Sequence, residues 1–273
     1  MQEFTFETPE PAELSVEIGS GQVDVTADEV ATSQVTVDGP GADDVTVTQE
    51  GRRIVVKSHK RSGLFSRHER VDVTVVVPTG SDLVVRTGSG DVRTSGRFGQ
   101  GALTTGSGDV EASQFAGDVV STAGSGDIRI AEVGGALRGK SGSGGVRIGR
   151  VAGAADISSG SGDLAIDGCG TESSFKTGSG NVAIGDTTQR VTVTTASGDV
   201  SVQGLRGGAV KIRTASGDVA IALAEGVPVW ADINTVSGTV HRDIASAGEP
   251  TEGQAHIELH ILTASGRIDL RHI

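Results

Sequence analysis

The chain has 273 residues, of which 42 are glycine and 6 are proline, and only 3% are aromatic, with no tyrosine. So much glycine with so little proline is typical of many tight turns, and a core with few aromatic rings must be built from Val, Ile, Leu and Ala. A formal net charge of −12 argues against a basic nucleic-acid-binding protein, and the single cysteine excludes an intramolecular disulfide.

The first eighty residues contain short runs in which apolar and polar residues alternate. Examples are "LSVEI" (14–18), "QVTV" (34–37) and "VDVTVVV" (71–77). Strict alternation predicts strands with one buried face. We predict that residues 1–80 form an N-terminal β cap continuous with the rest of the chain, because the first edge of a stack of strands would otherwise expose unpaired backbone groups.

Between two of these strands lies a basic loop, "KSHKRSGLFSRHER" (57–70), with Leu64 and Phe65 at its predicted tip. Basic residues around exposed apolar ones suit an anionic membrane surface, where each contributes about 1 kcal/mol, or an acidic patch on a protein. The simpler alternative is a solvated connection whose tip folds back on the scaffold. The candidate interaction residues are Lys57, Lys60, Arg61, Leu64, Phe65, Arg67 and Arg70.

From residue 81 onwards, relatives of the motif "TGSGDVEA" (105–112) recur along the chain. Its second glycine returns every 18 residues, at Gly90, Gly108, Gly126, Gly144, Gly162, Gly180 and Gly198. The series continues in longer steps at Gly217, Gly238 and Gly266. A fixed period of this length is typical of stacked repeat units.

The residues around each motif glycine predict what one unit contains. Positions two and four after the glycine are apolar in most copies, as at Ile128 and Ile130, and so is the position five before it. A spacing of two predicts a strand with one buried face on each side of the turn. We therefore predict an all-β fold, a parallel β-solenoid over residues 81–273. Each rung has about 18 residues and leads to the next, with irregular rungs at the C-terminal end and a polar loop at 245–254.

The glycines and aspartates of the motif are interpreted as structural turn residues. Glycine permits positive φ or a close approach of neighbouring turns, and aspartate accepts hydrogen bonds from turn amides. A calcium-binding β-roll is the alternative, but its pattern separates the last glycine from the aspartate by one residue. Here the two are adjacent. The residues concerned are Gly90, Asp91, Gly108, Asp109, Gly126, Asp127, Gly162, Asp163, Gly198, Asp199, Gly217 and Asp218.

The remaining reactive side chains give no catalytic or metal site. In "HIELH" (256–260) the apolar residues alternate with the polar ones, so His256 and His260 lie about 13 Å apart on one strand, too far to hold one ion. Cys169 falls in an inward-pointing column and is predicted to be a core residue. Trp230 is expected to pack near the C-terminal end of the solenoid. We predict no enzyme activity and no cofactor.

The series "TGSGDVRT" (87–94), "AGSGDIRI" (123–130) and "TASGDVSV" (195–202) resembles the bacterial β-strand-repeat family labelled putative adhesin, a domain of unknown function with Ser-Gly-Asp repeats. The resemblance covers essentially the whole chain, including the ending "VWADINTVSGTV" (229–240). It implies a β-solenoid without an established activity and, from the adhesin label, exposure at a surface. For some relatives it implies a link to cell-envelope stress systems.

Two functions of different classes are compatible with these features. The first is a non-enzymatic interaction scaffold, which binds a protein partner or docks on an anionic membrane surface through residues 57–70. The second is a self-assembling polymer or oligomer of solenoids joined through their ends, as in bactofilin-like proteins. A carbohydrate-active β-helix enzyme would need paired acids beside aromatic platforms, and aromatic residues are scarce. The acidic composition argues against a nucleic-acid partner.

The N-terminal residues and the lengths of the apolar runs also bear on the location of the protein. "MQEFTFETPEPAELSVEIG" (1–19) has neither the basic nor the apolar region of a secretory signal, and no apolar run approaches the roughly 18 residues of a membrane-spanning helix. We expect a cytoplasmic protein, with attachment to the inner face of the membrane as the alternative.

Overall fold

The computed structural model of the protein describes residues 1–59, 69–244 and 256–273. Within these ranges the chain forms 28 β-strands and one 3₁₀ turn at Ala42–Asp44, without an α-helix. The predicted all-β fold with parallel strands is thereby confirmed. The tip of the basic loop and the polar loop predicted at 245–254 lie outside the described residues. The chain divides into two compact units, Met1–Ala136 and Leu137–Ile273, a division that does not test the boundary predicted at residue 80.

The strands of the first unit are β1 (Gln2–Glu7), β2 (Glu13–Ile18), β3 (Gly21–Asp28), β4 (Thr32–Asp38), β5 (Val45–Glu50), β6 (Arg53–Ser58), β7 (Val71–Pro78), β8 (Asp82–Thr87), β9 (Asp91–Ser95), β10 (Arg97–Phe98), β11 (Gly101–Thr105), β12 (Val110–Phe115), β13 (Val119–Ala123) and β14 (Ile128–Val133). They form two sheets. The first has the order β1-β4-β7-β3-β9-β12-β14, with β10 beside β12, and the second has the order β5-β6-β2-β8-β11-β13.

Equivalent positions of successive rungs stack on one another in the regular part of this unit. Val110 pairs with Ile128, and Leu103 pairs with Ser121, in each case 18 residues further along the chain. Because side chains alternate between the two faces of a strand, one register fixes a whole inward column. Val110, Leu103 and Ile128 are fully buried, which is the burial expected from the two-residue spacing.

The N-terminal strands do not stack in chain order. Strands β2 and β3 pair in parallel with β8 and β9 on one side and with β6 and β7 on the other. Beyond them, β4 and β5 run antiparallel to β7 and β6, and β1 runs antiparallel to β4. In the chain, the basic loop separates β6 from β7.

The strands of the second unit are β15 (Leu137–Ser141), β16 (Val146–Val151), β17 (Ala155–Ser159), β18 (Leu164–Cys169), β19 (Ser173–Thr177), β20 (Val182–Thr187), β21 (Val191–Ser197), β22 (Val200–Leu205), β23 (Gly208–Ser216), β24 (Val219–Leu223), β25 (Val229–Thr235), β26 (Thr239–Asp243), β27 (Ile257–Ser265) and β28 (Arg267–His272). One sheet has the order β16-β18-β20-β22-β24-β28-β26, and the second sheet has the order β15-β17-β19-β21-β23-β27-β25.

The last two rungs of this unit also depart from chain order. Strand β27 lies between β23 and β25, and β28 lies between β24 and β26. The prediction that each rung leads to the next in space is therefore wrong here, since the Gly266 rung precedes the Gly238 rung. Burial gives the physical reason. Leu259 on β27 pairs with Ala231 on β25, and Leu270 on β28 pairs with Arg242 on β26, so in each sheet the strand with the more apolar inward residue takes the covered position.

Cys169 lies in the core, as the sequence predicts. It is a free thiol, 9% exposed, at the end of β18. Its sulfur lies 3.6 Å from the hydroxyl of Thr187, which occupies the equivalent position one rung further on. The residue therefore packs as a small side chain between rungs.

Candidate interaction surface

The motif glycines lie where neighbouring turns come into contact. A Cβ added to Gly90 would lie 2.9 Å from the carbonyl oxygen of Gly21, closer than side-chain carbons approach backbone oxygens. Gly217 has φ +141°, a conformation that residues with a side chain adopt only with strain. Close approach and positive φ thus both occur among these turns.

The motif aspartates connect one turn to the next. Asp91 Oδ1 accepts the backbone amide of Asp109 at 3.0 Å, and Asp109 Oδ1 accepts that of Asp127 at 2.8 Å. In the second unit the same bond, at 2.7–2.9 Å, links Asp163 to Asn181, Asn181 to Asp199, Asp199 to Asp218 and Asp218 to Arg267. The donor is the amide of the following rung and not of the same turn.

Neighbouring arginines offset part of this acidic charge. Arg129 pairs with Asp127 at 2.6 Å, and Arg93 pairs with Asp91 at 3.7 Å. Across the described ranges, no group of three or more His, Cys, Asp or Glu residues is arranged to hold a metal ion. The aspartate column therefore contributes hydrogen bonds between rungs.

Sequence reasoning missed a buried hydroxyl that precedes many of the turns. Thr177 Oγ1 accepts the amide of Gly180 at 3.1 Å and donates to the carbonyl oxygen of Gly162 at 3.1 Å. Ser159 makes the equivalent bonds to Gly162 and Gly144. The signal was present in the sequence, because Ser or Thr recurs three residues before the motif glycine at an inward-facing position.

The described ends of the basic loop already have carboxylate partners. Lys57 pairs with Glu17 at 3.4 Å, and Arg70 pairs with Asp72 at 3.0 Å. The hydrogen bonds that the Arg70 guanidinium donates to Asp72 raise the pKa of that guanidinium. The other candidate residues of this loop, Lys60, Arg61, Leu64, Phe65 and Arg67, lie outside the described residues. No helix within the described ranges has the length and apolar character needed to cross a membrane.

A row of outward-facing side chains crosses the second sheet of the second unit. Adjacent residues of the row are in register on neighbouring strands, in the order Lys140, Ser158, Lys176, Thr194 and Arg213. We call these five residues the basic row. The three basic residues are all exposed. They are two strands apart, which places them about 10 Å from each other.

The positive charges of the basic row are not compensated. Within the part of the chain that the structure describes, Lys140, Lys176 and Arg213 form no ion pair, and the row contains no acid. By contrast, Arg138 on the neighbouring row pairs with Asp156 at 3.8 Å. Charges about 10 Å apart repel each other little at physiological salt, where the screening length is about 8 Å. The row can therefore present three free cations to a partner.

At the Arg213 end of the row, the outer face contains a pocket of about 220 Å³. We call it the terminal pocket. It is formed by three neighbouring strands in the order β23, β27 and β25. Its polar and exposed lining residues are Lys211, Arg213, Asp232, Asn234, His260 and Leu262.

A hydrogen-bonded network lines one side of the terminal pocket. Asn234 Nδ2 donates to Asp232 Oδ1 at 2.8 Å, and Asp232 Oδ2 faces His260 Nδ1 at 3.5 Å. His260 Nε2 lies 2.6 Å from Glu258 Oε1. His260 therefore lies between the two carboxylates, whereas Lys211 and Arg213 form no ion pair with any described residue.

Trp230 lies beside this network on the outer face of β25. Its ring meets His260 edge to face, with ring centroids 5.1 Å apart. The residue is 37% exposed. It lies on the last strand of its sheet, close to where the sequence placed it. Its indole, however, presents part of its surface to solvent, so it can contact a ligand.

Part of this surface was detectable in the sequence. Every residue of the basic row lies four positions before a motif glycine, so the repeat places the row in one column. The terminal pocket was not detectable, because it brings together Lys211, Asp232 and His260 through the exchanged order of the last rungs. The arrangement offers free cations, hydrogen-bonding groups and one aromatic surface, which together suit the binding of an anionic ligand.

Comparison with known proteins gives a family and weak structural similarities. The family model described as Toastrack DUF4097 matches residues 13–271. No curated protein matches the chain significantly.

Three solved structures illustrate the similarities in fold. A protein titled "putative lipid binding protein" from Parabacteroides distasonis is 13% identical, with 81% of this chain and 96% of that chain covered and a TM-score of 0.46. A "putative adhesin" from the same species is 10% identical, with 98% and 97% covered and a TM-score of 0.45. A "putative adhesin" from Bacteroides fragilis is 14% identical, with 100% and 97% covered and a TM-score of 0.34. Similarities this low carry no information on function.

Proposed function

The chain belongs to the Toastrack DUF4097 family, and from this premise we propose that it is a non-enzymatic β-solenoid scaffold that binds an anionic partner through the basic row. The observation that supports this function is the row itself. Lys140, Lys176 and Arg213 are aligned on one sheet face and lack a described counter-charge in a chain of net charge −12. Such an alignment attracts an acidic partner while the rest of the surface repels it.

The backbone beneath the row supports a binding role. Strands β17, β19, β21 and β23 are each paired on both sides, so the spacing of the basic side chains is fixed before a partner arrives. A preorganised array loses little backbone entropy on binding. The inward residues below it, among them Ile157, Phe175 and Val193, are almost completely buried.

Charge-matched variants test this function. We would measure the binding of poly-L-glutamate and of phosphatidylserine vesicles at low and physiological salt. One variant carries Lys140→Gln, Lys176→Gln and Arg213→Gln. The control carries Arg53→Gln, Arg86→Gln and Arg97→Gln, which removes the same charge from exposed positions of the first unit. We expect salt-sensitive binding that the row variant loses and the control keeps. Equal loss in both variants, or no binding by the native chain, would contradict the proposal.

Membrane docking through the basic loop stays a prediction, and so does the cytoplasmic location. The pairing of Lys57 with Glu17 and of Arg70 with Asp72 leaves fewer free charges at the described ends of the loop. Vesicle binding that survives in the row variant would favour the loop.

Self-assembly through the ends is the second candidate, and the last rung of the second unit favours it. Among the residues that the structure describes, strands β25 and β26 pair with neighbours on one side only. Val240 is 39% exposed and Val236 is 85% exposed. Unpaired strand edges with exposed apolar residues can pair with another chain. Sedimentation velocity at increasing concentration tests this candidate, with Val240→Lys as the variant expected to dissociate any assembly. A monomer at every concentration would exclude it.

A further inference from the structure

We propose that the terminal pocket binds one carboxylated sugar unit of a linear acidic polysaccharide, whose chain continues along the basic row. The inference rests on the proposed function and names the partner class of the same surface. It depends on the free cations and the hydrogen-bonding side chains that line the pocket, and on the exposed indole of Trp230, which contacts the pocket residue His260.

The size and charge of the pocket set the first limit on the ligand. A volume of about 220 Å³ lies below the 300–1,000 Å³ typical of sites for drug-sized ligands, which favours a single ring. Lys211 and Arg213 line the pocket and form no ion pair with a described residue. A carboxylate on that ring would complete their charge pairing, with Arg213 able to bind both of its oxygens.

The other side of the pocket is suited to hydroxyl groups. Asp232 and Asn234 are exposed and hold each other in place through a hydrogen bond of 2.8 Å. A carboxylate has about four acceptor positions, and on Asp232 the hydrogen bond from Asn234 occupies one of them. The remaining positions can accept hydrogen bonds from sugar hydroxyls.

Trp230 adds a surface for the apolar face of the ring. The indole contacts the ring of His260, which lines the pocket, and therefore lies beside the pocket. Sugar rings carry C–H groups on one face, and an aromatic side chain packs against such a face while polar neighbours bond the hydroxyls.

The basic row extends this site along a line. From Arg213, the next cations are Lys176 and Lys140, at steps of about 10 Å, with the hydroxyls of Thr194 and Ser158 between them. Alternating charge and hydroxyl groups match a polymer that carries both. A nucleic acid fits less well, because one tryptophan cannot stack successive bases.

The test compares three ligands of matched length on the full chain. Oligogalacturonate carries sugar and carboxylate, its methyl ester carries sugar alone, and poly-L-glutamate carries carboxylate alone. We expect oligogalacturonate to bind at least about tenfold more tightly than either of the others. Trp230→Ala is expected to weaken oligogalacturonate binding about tenfold and to change poly-L-glutamate binding less than twofold. Asn234→Ala, at an exposed position, gives the same comparison if Trp230→Ala impairs folding.

The outcomes separate this inference from the proposed function. If oligogalacturonate and poly-L-glutamate bind equally and neither Trp230→Ala nor Asn234→Ala discriminates between them, the saccharide site is wrong while the anionic scaffold stands. If no ligand binds in a manner that depends on the basic row, both are wrong. Selective loss of oligogalacturonate binding in the pocket variants supports both.

Discussion

The carboxylate of Asp199 accepts the backbone amide of Asp218 at 2.8 Å, although 19 residues separate them in the chain. One rung earlier, the side-chain amide oxygen of Asn181 accepts the amide of Asp199 at 2.9 Å. The interaction thus needs a side chain that carries an acceptor oxygen at the Oδ1 position, and it does not need a negative charge. These side chains hold successive turns in register.

Substitutions at Asp199 test that role. Asp199→Asn keeps the acceptor and should change the free energy of unfolding by less than about 0.5 kcal/mol, whereas Asp199→Ala should lower it by about 1 kcal/mol. Urea unfolding measures both values. A destabilisation as large for Asn as for Ala would show that the charge, and not the hydrogen bond, matters.

The turn glycines should tolerate no side chain. Gly217 has φ +141°, and an added Cβ would collide with the backbone of Gly198. Gly217→Ala should therefore cost about 2 kcal/mol or more. At Gly207 an added Cβ meets nothing within 4 Å, so Gly207→Ala is the matched control and should be nearly neutral. Thermal unfolding distinguishes them, and equal melting temperatures would contradict this account of the turns.

The buried hydroxyl of Thr177 gives a third prediction. Thr177→Val preserves shape but leaves the Gly180 amide and the Gly162 carbonyl without their partner, which should cost about 1–3 kcal/mol. Thr177→Ser keeps the hydroxyl, as Ser159 does in its own rung, and should cost less. Equal stability of the Val variant and the native chain in denaturant unfolding would argue against the hydroxyl's role.

The exchanged order of the last rungs predicts that substitutions of two paired residues lower the free energy of unfolding by unequal amounts. Ile268 on β28 is fully buried, whereas its partner Val240 on β26 is 39% exposed. Ile268→Ala should lower the free energy of unfolding by about 3 kcal/mol and Val240→Ala by less than about 1 kcal/mol. If the rungs followed chain order, Ile268 would lie in the outermost strand and the two effects would be reversed.

The sequence predicted the regular part of the fold because one period governs every rung. Residues such as Ile128 and Ile130 repeat at fixed positions, and a two-residue spacing allows only one burial pattern. The order of the rungs at the ends could not be predicted in this way. A motif glycine at position 238 or 266 marks a turn but does not specify which strand edge the rung will cover. That choice depends on which strand has the more apolar inward residues, as with Leu270 on β28 against Arg242 on β26.

The candidate site likewise has one part that could be predicted from the period and one part that could not. The basic row follows the 18-residue period and was recoverable from it, since Lys140 and Lys176 occupy one column. The terminal pocket was not recoverable, because Lys211 and Asp232 become neighbours of His260 only through the exchanged rungs. The role of the basic loop could be stated only as a sequence hypothesis, since most of it lies outside the described residues.

Lysine footprinting is the most direct test of the proposed binding surface. The chain has five lysines: Lys57, Lys60, Lys140, Lys176 and Lys211. Acetylation of each would be followed by mass spectrometry with and without oligogalacturonate or poly-L-glutamate. We predict protection of Lys140, Lys176 and Lys211, and unchanged reactivity of Lys57 and Lys60. Protection confined to Lys57 and Lys60, or uniform reactivity of all five lysines, would contradict binding through the basic row.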